Sequence, residues 1–316
     1  MLDESILPDR AELRAAESRL HGIIRRTPVL ELAGPDLADL EAVAAGRVLL
    51  KLELLQHVGV FKARGALNTL LSVPLPAGGV VAASGGNHGA AMAWAARLVG
   101  VPARIFVPAT SPRAKVERIT GYGAEVVVVP GFYPEALAAS RDWAAGRDVL
   151  EVHAYDQASV VVGQATLGLE LAEQVPDAST VLVSCGGGGL YAGVALGVPC
   201  PVVPVEPALC PTLHAAIEHG GPVPTEVAGV AADSMGAAAA GRIAYAVAAG
   251  RGTTPVLVPD EAIVAARRWL WRRCRVLAEP GGATAFAALL SGAFRPAAGD
   301  VTVVVVSGGN HPDVPA

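Results

Sequence analysis

Short apolar runs rich in Val alternate with helical segments along most of this chain, and that alternation limits it to a parallel, doubly wound α/β fold. Gly79 to Ala83 reads as a strand and His88 to Val99 as a helix. Ala103 to Val107 and Ala124 to Val129 read as strands, followed by helices over Pro112 to Thr120 and Pro134 to Ala145. Farther along, Thr180 to Ser184, Val202 to Val205 and Val301 to Val306 read as strands. Helical spacing recurs over Ser159 to Gln174, Glu261 to Arg273 and Ala283 to Leu290. Two three-layer αβα lobes with mostly parallel sheets are expected, with a cleft between them. At 316 residues the chain is long enough for both cores.

Composition narrows the function classes. A net charge of −5 gives no basic footprint, so no nucleic-acid partner is expected. No run of 18 apolar residues free of Pro, Gly or charge reads as a membrane span, and Met1 to Arg14 lacks a signal-peptide core. Cys185, Cys200, Cys210 and Cys274 form no CxxC pair, so neither a zinc site nor a disulfide framework is indicated. A reducing cytoplasm is the simplest compartment.

Five segments carry possible chemistry. Cys185-Gly186-Gly187-Gly188-Gly189-Leu190 follows a strand and opens a helix expected from about Tyr191. Its backbone N–H groups can converge on an anion at a helix N-terminus. It lacks both the P-loop Lys-Ser/Thr and the GxGxxG spacing, and a flexible turn is the plain alternative. Phe61-Lys62-Ala63-Arg64-Gly65-Ala66 holds a lysine in apolar surroundings. A desolvated lysine can be neutral and nucleophilic; the alternative is a surface lysine at a helix start. Ser84-Gly85-Gly86-Asn87-His88-Gly89 is a donor-rich strand-to-helix turn that could grip a carboxylate, or simply cap the helix. Ser307-Gly308-Gly309-Asn310 ends the last strand, and Glu279-Pro280-Gly281-Gly282-Ala283 enters a helix.

Together and in this order, these segments resemble the serine/threonine dehydratase (threonine deaminase-like) branch of the fold-type II, tryptophan synthase beta-like, pyridoxal phosphate enzymes. The likeness runs from Arg26-Thr27-Pro28 to Asn310. It implies a large cofactor domain over 1–48 and 152–316, with a small domain over 49–151 that closes on substrate. It also implies pyridoxal 5'-phosphate held as a Schiff base on Lys62, with Phe61 packed near the ring. Asn87 then meets the ring hydroxyl, and Gly186, Gly187, Gly188, Gly189 and Leu190 hold the phosphate. Ser307 faces the pyridine nitrogen, and Gly236 and Glu279 line the far side of the ring. Ser84, Gly85, Asn87 and His88 receive the substrate carboxylate.

The implied reaction is β-elimination of water from L-threonine or L-serine, giving a 2-oxoacid and ammonia, with Lys62 taking the α-proton. Alternatives on the same fold are a serine or aspartate racemase, or a dehydratase of an unusual hydroxylated or diamino acid. A non-catalytic small-molecule binding protein is the alternative of another class. The family also implies a homodimer.

Three departures stand out. Val60 replaces the usual serine before Phe61, and Val58 is apolar where a small polar residue is common. Gly85 stands where related racemases carry a second acid/base serine, which favours dehydration. Some relatives bind a divalent cation through a Glu and a nearby Asp. Here Glu206 is followed by Cys210 and Thr212, so no metal is favoured. Only six residues follow Asn310, so the regulatory domain of biosynthetic threonine deaminases is not expected.

Overall fold

The computed structural model describes residues 4–37, 40 and 46–315. Helix α1 (Arg10–Leu20) opens on a capping box, with Asp9 accepting from the Glu12 N–H at 2.8 Å and Glu12 returning the bond. Strands β1 (Val29–Leu32) and β2 (Arg47–Lys51) follow, then α2 (Lys62–Ser72). Next come β3 (Val80–Ala83), α3 (Asn87–Val99), β4 (Ala103–Pro108), α4 (Arg113–Gly121), β5 (Glu125–Val129), α5 (Tyr133–Ala144) and β6 (Leu150–Glu151). The second half runs α6 (Ala158–Gln174), β7 (Thr180–Ser184), α7 (Gly189–Gly197), β8 (Val202–Pro207), α8 (Thr212–His219), α9 (Ala232–Met235) and α10 (Arg242–Arg251). It closes with β9 (Val256–Val258), α11 (Asp260–Cys274), α12 (Pro280–Leu290) and β10 (Val301–Val305).

The strands form two sheets. One has six strands in the order β1-β2-β10-β7-β8-β9, all parallel except β1. The other has four parallel strands in the order β5-β4-β3-β6. Alternate residues of each strand feed opposite faces. Leu50, Leu182 and Val304 pack with Ile263, Leu270 and Phe286 of α11 and α12. Leu49, Val181, Val183 and Val303 pack with Leu167, Tyr191 and Val194 on the other side. In the small sheet, Val80, Ala82 and Ile105 meet Leu67, Met92 and Ala96, while Val81 and Phe106 meet Ala136 and Ala144. Both sheets are therefore covered on two faces. Each fully buried Val or Leu contributes roughly 1.5–3 kcal/mol of transfer free energy.

Several element boundaries differ by one to three residues from the sequence reading, and two differences bear on the site. Helix α7 begins at Gly189, two residues before Tyr191, because Gly188 in a left-handed turn (φ 84°) caps it. A lobe boundary at 48/49 would cut through β2, which pairs with β10 along its whole length. β2 as a whole belongs to the six-stranded sheet.

A buried charge cluster ties α2 to the rest. Arg64, 2% exposed, donates to Glu53 at 2.7 and 2.9 Å and to Glu170 at 2.8 Å. Lys51 pairs with Glu170 and donates to the Thr27 carbonyl at 2.8 Å and the Gln174 amide oxygen at 2.7 Å. Burial raises the Glu53 carboxyl, but the Arg64 guanidinium more than offsets this and holds it below its ordinary value. These groups fix the first turn of α2, whose first residue is Lys62.

Candidate active site

The cleft lies where the carboxyl ends of the two sheets face each other, as expected for open α/β sheets. It encloses about 360 Å³ and is lined by Phe61, Lys62, Ser84 to His88, Gly186 to Leu190, Gly236, Glu279 and Ser307. Every site residue named from the sequence is on that wall.

Lys62 sits at the N-terminus of α2, its Nζ donating to the Ala154 carbonyl at 3.1 Å and lying 5.0 Å from the Phe61 ring centre. Burial pushes its amine down to about 8, against the opposing charge of Glu279. The neutral fraction at physiological pH is a minority, but far larger than that of an ordinary lysine, which makes it a competent nucleophile and base. The segment carrying it is pinned to the end of β10: Val60 bridges Gly308, and the Phe61 N–H donates to the Ser307 carbonyl at 3.1 Å.

The glycine loop is shaped by contact. A Cβ at Gly187 would stand 2.4 Å from the Tyr155 ring, and one at Gly186 would stand 2.8 Å from the Met235 carbonyl oxygen. The loop leads into α7, so its free N–H groups and the helix dipole favour an anion. Thr212 holds the loop from beneath, donating to the Gly186 carbonyl at 2.7 Å. Glu206, fully buried, accepts from the Leu213 and His214 N–H groups at 2.8 Å each, so its carboxylate caps the start of α8. Burial still raises it to about 7. Among the described residues no group of three or more His, Cys, Asp or Glu is placed to hold a metal ion.

The small-lobe side presents Ser84, whose Oγ accepts from the Gly86 N–H at 3.2 Å, and Asn87 at the start of α3. His88 turns its Nε2 to the Val152 carbonyl at 3.2 Å. Burial, with the charge of Lys62, pushes it down to about 3, so it stands neutral and offers a carboxylate no charge. Gly85 is crowded: a Cβ there would lie 1.9 Å from the Ser111 Oγ. The Ser111 side chain thus occupies the space that a side chain at position 85 would need, a neighbour sequence reading missed because it sits on a different loop.

Glu279, 3% exposed, caps the entry to α12 and accepts from the Asn87 Nδ2 at 2.7 Å. Burial raises its carboxyl and the Asn87 bond opposes that. Ser307, 5% exposed, has its Oγ 3.5 Å from the Gly281 carbonyl and no charged partner.

Comparison with known proteins agrees with this geometry. A family profile described as "Pyridoxal-phosphate dependent enzyme" matches residues 20–308. The L-threonine ammonia-lyase of Geobacter sulfurreducens is 35% identical over 94% of this chain and 74% of its own length. The phenylserine dehydratase of Ralstonia pickettii is 36% identical over 98% of this chain and 95% of its own. The structure of maize serine racemase superposes with a TM-score of 0.88 at 30% identity, covering 96% of this chain and 94% of that one. By its sequence and by the arrangement of its two sheets around the cleft, the chain belongs to the pyridoxal-phosphate dependent enzymes.

Proposed function

We propose that this chain is an ammonia-lyase that eliminates water from a β-hydroxy-α-amino acid, with L-threonine or L-serine as substrate. The observation that carries the reading is Lys62. It is a half-buried lysine with its amine desolvated and lowered to about 8, beside a glycine loop that leads into a helix N-terminus. The similarity to an L-threonine ammonia-lyase and a phenylserine dehydratase supports elimination over other chemistry.

The cleft suits pyridoxal phosphate. Cβ atoms at Gly186 and Gly187 would strike the Met235 carbonyl and the Tyr155 ring, so glycine alone lets this backbone turn into α7 with its N–H groups facing the cleft, and Ser307 is a neutral partner for a ring nitrogen. We assign Gly186 to Gly189 and Leu190 to the phosphate, Phe61 to packing at the ring, and Gly236 and Glu279 to its far side. The bound cofactor supplies an electron sink for charge released at the substrate α-carbon. Lys62 would hold the cofactor through its Nζ, and the same atom is placed to serve as the base for the substrate α-proton. A neutral Ser307 leaves the ring nitrogen without a charged partner, which favours prompt loss of the β-hydroxyl. The Ser84 to Asn87 turn receives the substrate carboxylate through backbone N–H groups, with His88 supporting it as a neutral residue. We further propose that the enzyme acts in the cytoplasm as a homodimer.

The test is 2-oxoacid release from L-threonine, L-serine, L-threo-phenylserine, D-serine and 3-hydroxyaspartate, with Lys62→Ala as control. Release from L-threonine or L-serine that disappears in the variant is expected. Undiminished turnover in Lys62→Ala would overturn the assignment.

A further inference from the structure

Behind the cleft runs a chain of side-chain amides that no catalytic step above requires. Asn310 Nδ2 donates to the Val58 carbonyl at 2.8 Å and to the Asn87 Oδ1 at 2.8 Å. Asn87 Nδ2 in turn donates to the Glu279 Oε1 at 2.7 Å. The first and last members can only accept: one is a backbone carbonyl and the other a carboxylate. That settles which way both amides face. The atom beside the Val58 carbonyl must be the Asn310 nitrogen. Its second hydrogen then requires an oxygen on Asn87, and the Asn87 nitrogen is left facing Glu279.

The backbone is shaped around this chain. Val58 sits at φ 64°, a region a β-branched residue rarely enters, and its carbonyl is the one that Asn310 finds. Gly59 also has positive φ (71°), and a Cβ there would stand 2.5 Å from the Asn310 Oδ1. A Cβ at Gly308 would stand 2.3 Å from the Glu279 Oε1. The Gly309 N–H donates to the Gly59 carbonyl at 3.0 Å, locking the two loops together.

We propose that Asn310 is a positioning residue that sets the polarity of the Asn87 amide. With its oxygen taken by Asn310 and one Nδ2 hydrogen taken by Glu279, Asn87 keeps its second Nδ2 hydrogen for the ring hydroxyl oxygen of the cofactor. This rests on the reading of Asn87 as the ring-hydroxyl ligand. A reversed Asn87 would turn an acceptor toward Glu279 and lose that donor.

The test is cofactor affinity, read by titrating full-length apoprotein with pyridoxal phosphate and following visible absorbance. Asn310→Asp removes both donated hydrogens at constant size. Asn87→Ala and Asn310→Asp should each weaken binding about tenfold, the worth of one buried hydrogen bond, and shift the bound cofactor's absorption band alike. The double variant should bind no worse than the weaker single. An unchanged affinity in Asn310→Asp, or losses that multiply to about a hundredfold, would overturn the positioning role while leaving Asn87 intact. Unchanged affinity in Asn87→Ala would remove both. If Asn310→Asp does not fold, Asn310→Ser, which keeps one donor but cannot span both partners, carries the same expectations.

Discussion

Lys115 of α4 and Asp233 of α9 form an ion pair across the mouth of the cleft, joining the helices of one sheet to those of the other. The Lys115 side chain is 14% exposed and that of Asp233 56%. Such a pair is worth at most about 1 kcal/mol and weakens with salt. Asp233→Asn should therefore raise substrate KM about two- to fivefold with little change in kcat. Wild-type KM should rise toward the variant's value as sodium chloride increases. Steady-state kinetics over a salt series checks both; a salt-independent KM equal in the two proteins would show that the pair does not hold the cleft.

The Lys62 amine, lowered by burial to about 8, gives a pH signature in the apoprotein. If Lys62 is the residue that attaches the cofactor, as proposed, the loading rate should climb about tenfold per pH unit below 8 and level off above it. The linkage has the opposite sign to that of a lysine in an ion pair. With the folded value below the unfolded one, the unfolded chain binds the extra proton between about pH 8 and 10.5. Stability conferred by a neutral Lys62 is therefore lost as pH falls through that window. Lys62→Met should stabilise the apoprotein at pH 7 by about 1–3 kcal/mol, read from urea unfolding. A destabilised variant would mean the amine is not desolvated.

Arg64 answers two buried carboxylates, Glu53 and Glu170. Removing it by Arg64→Met leaves Glu53 buried without its cation, and should cost about 3–5 kcal/mol. Denaturant midpoints of the apoprotein measure this directly. Glu53→Gln in the same background should recover part of the loss, because the uncompensated charge is then gone.

Gly85 and Ser111 share one space. Gly85→Ser drives a new Cβ into the Ser111 Oγ and should destabilise the protein by about 1–3 kcal/mol. Ser111→Ala should be close to neutral alone and should restore part of the loss in the double variant, because the Ser111 Cβ, 2.8 Å from the new atom, remains. Thermal unfolding of the three variants tests it, and an additive double variant would show that the two residues do not compete.

Much of the fold could be read from the chain because β3, β5, β7 and β10 are Val-rich runs, whereas the two-residue β6 left no such signal. The active-site loops sit at their ends, where backbone geometry and glycine content agree. β2 was harder, since its closing Lys51 reads as a surface residue yet is fully buried against Glu170. Arg64 was unreadable for the same reason: a charge in a helix suggests solvent until its partners, Glu53 and a residue 106 positions away, are known. Asn87 and Asn310 lie 223 positions apart, so nothing local announces their bond. Ser111 met Gly85 only through the turn after β4.

The pairing of β2 with β10, and of Val60 with Gly308, bears on the order in which this chain can mature. Closing a loop of that length is slow relative to forming the βα units within it. While the polypeptide emerges from the ribosome, Val60 and Phe61 lack their contacts to Gly308 and Ser307 until β10 has been made. The turn that carries Lys62 therefore takes its final shape only after residues 301–308 have been made. A chain halted before Val301 should neither colour with pyridoxal phosphate nor hold Phe61 in place, however well its inserted lobe has folded.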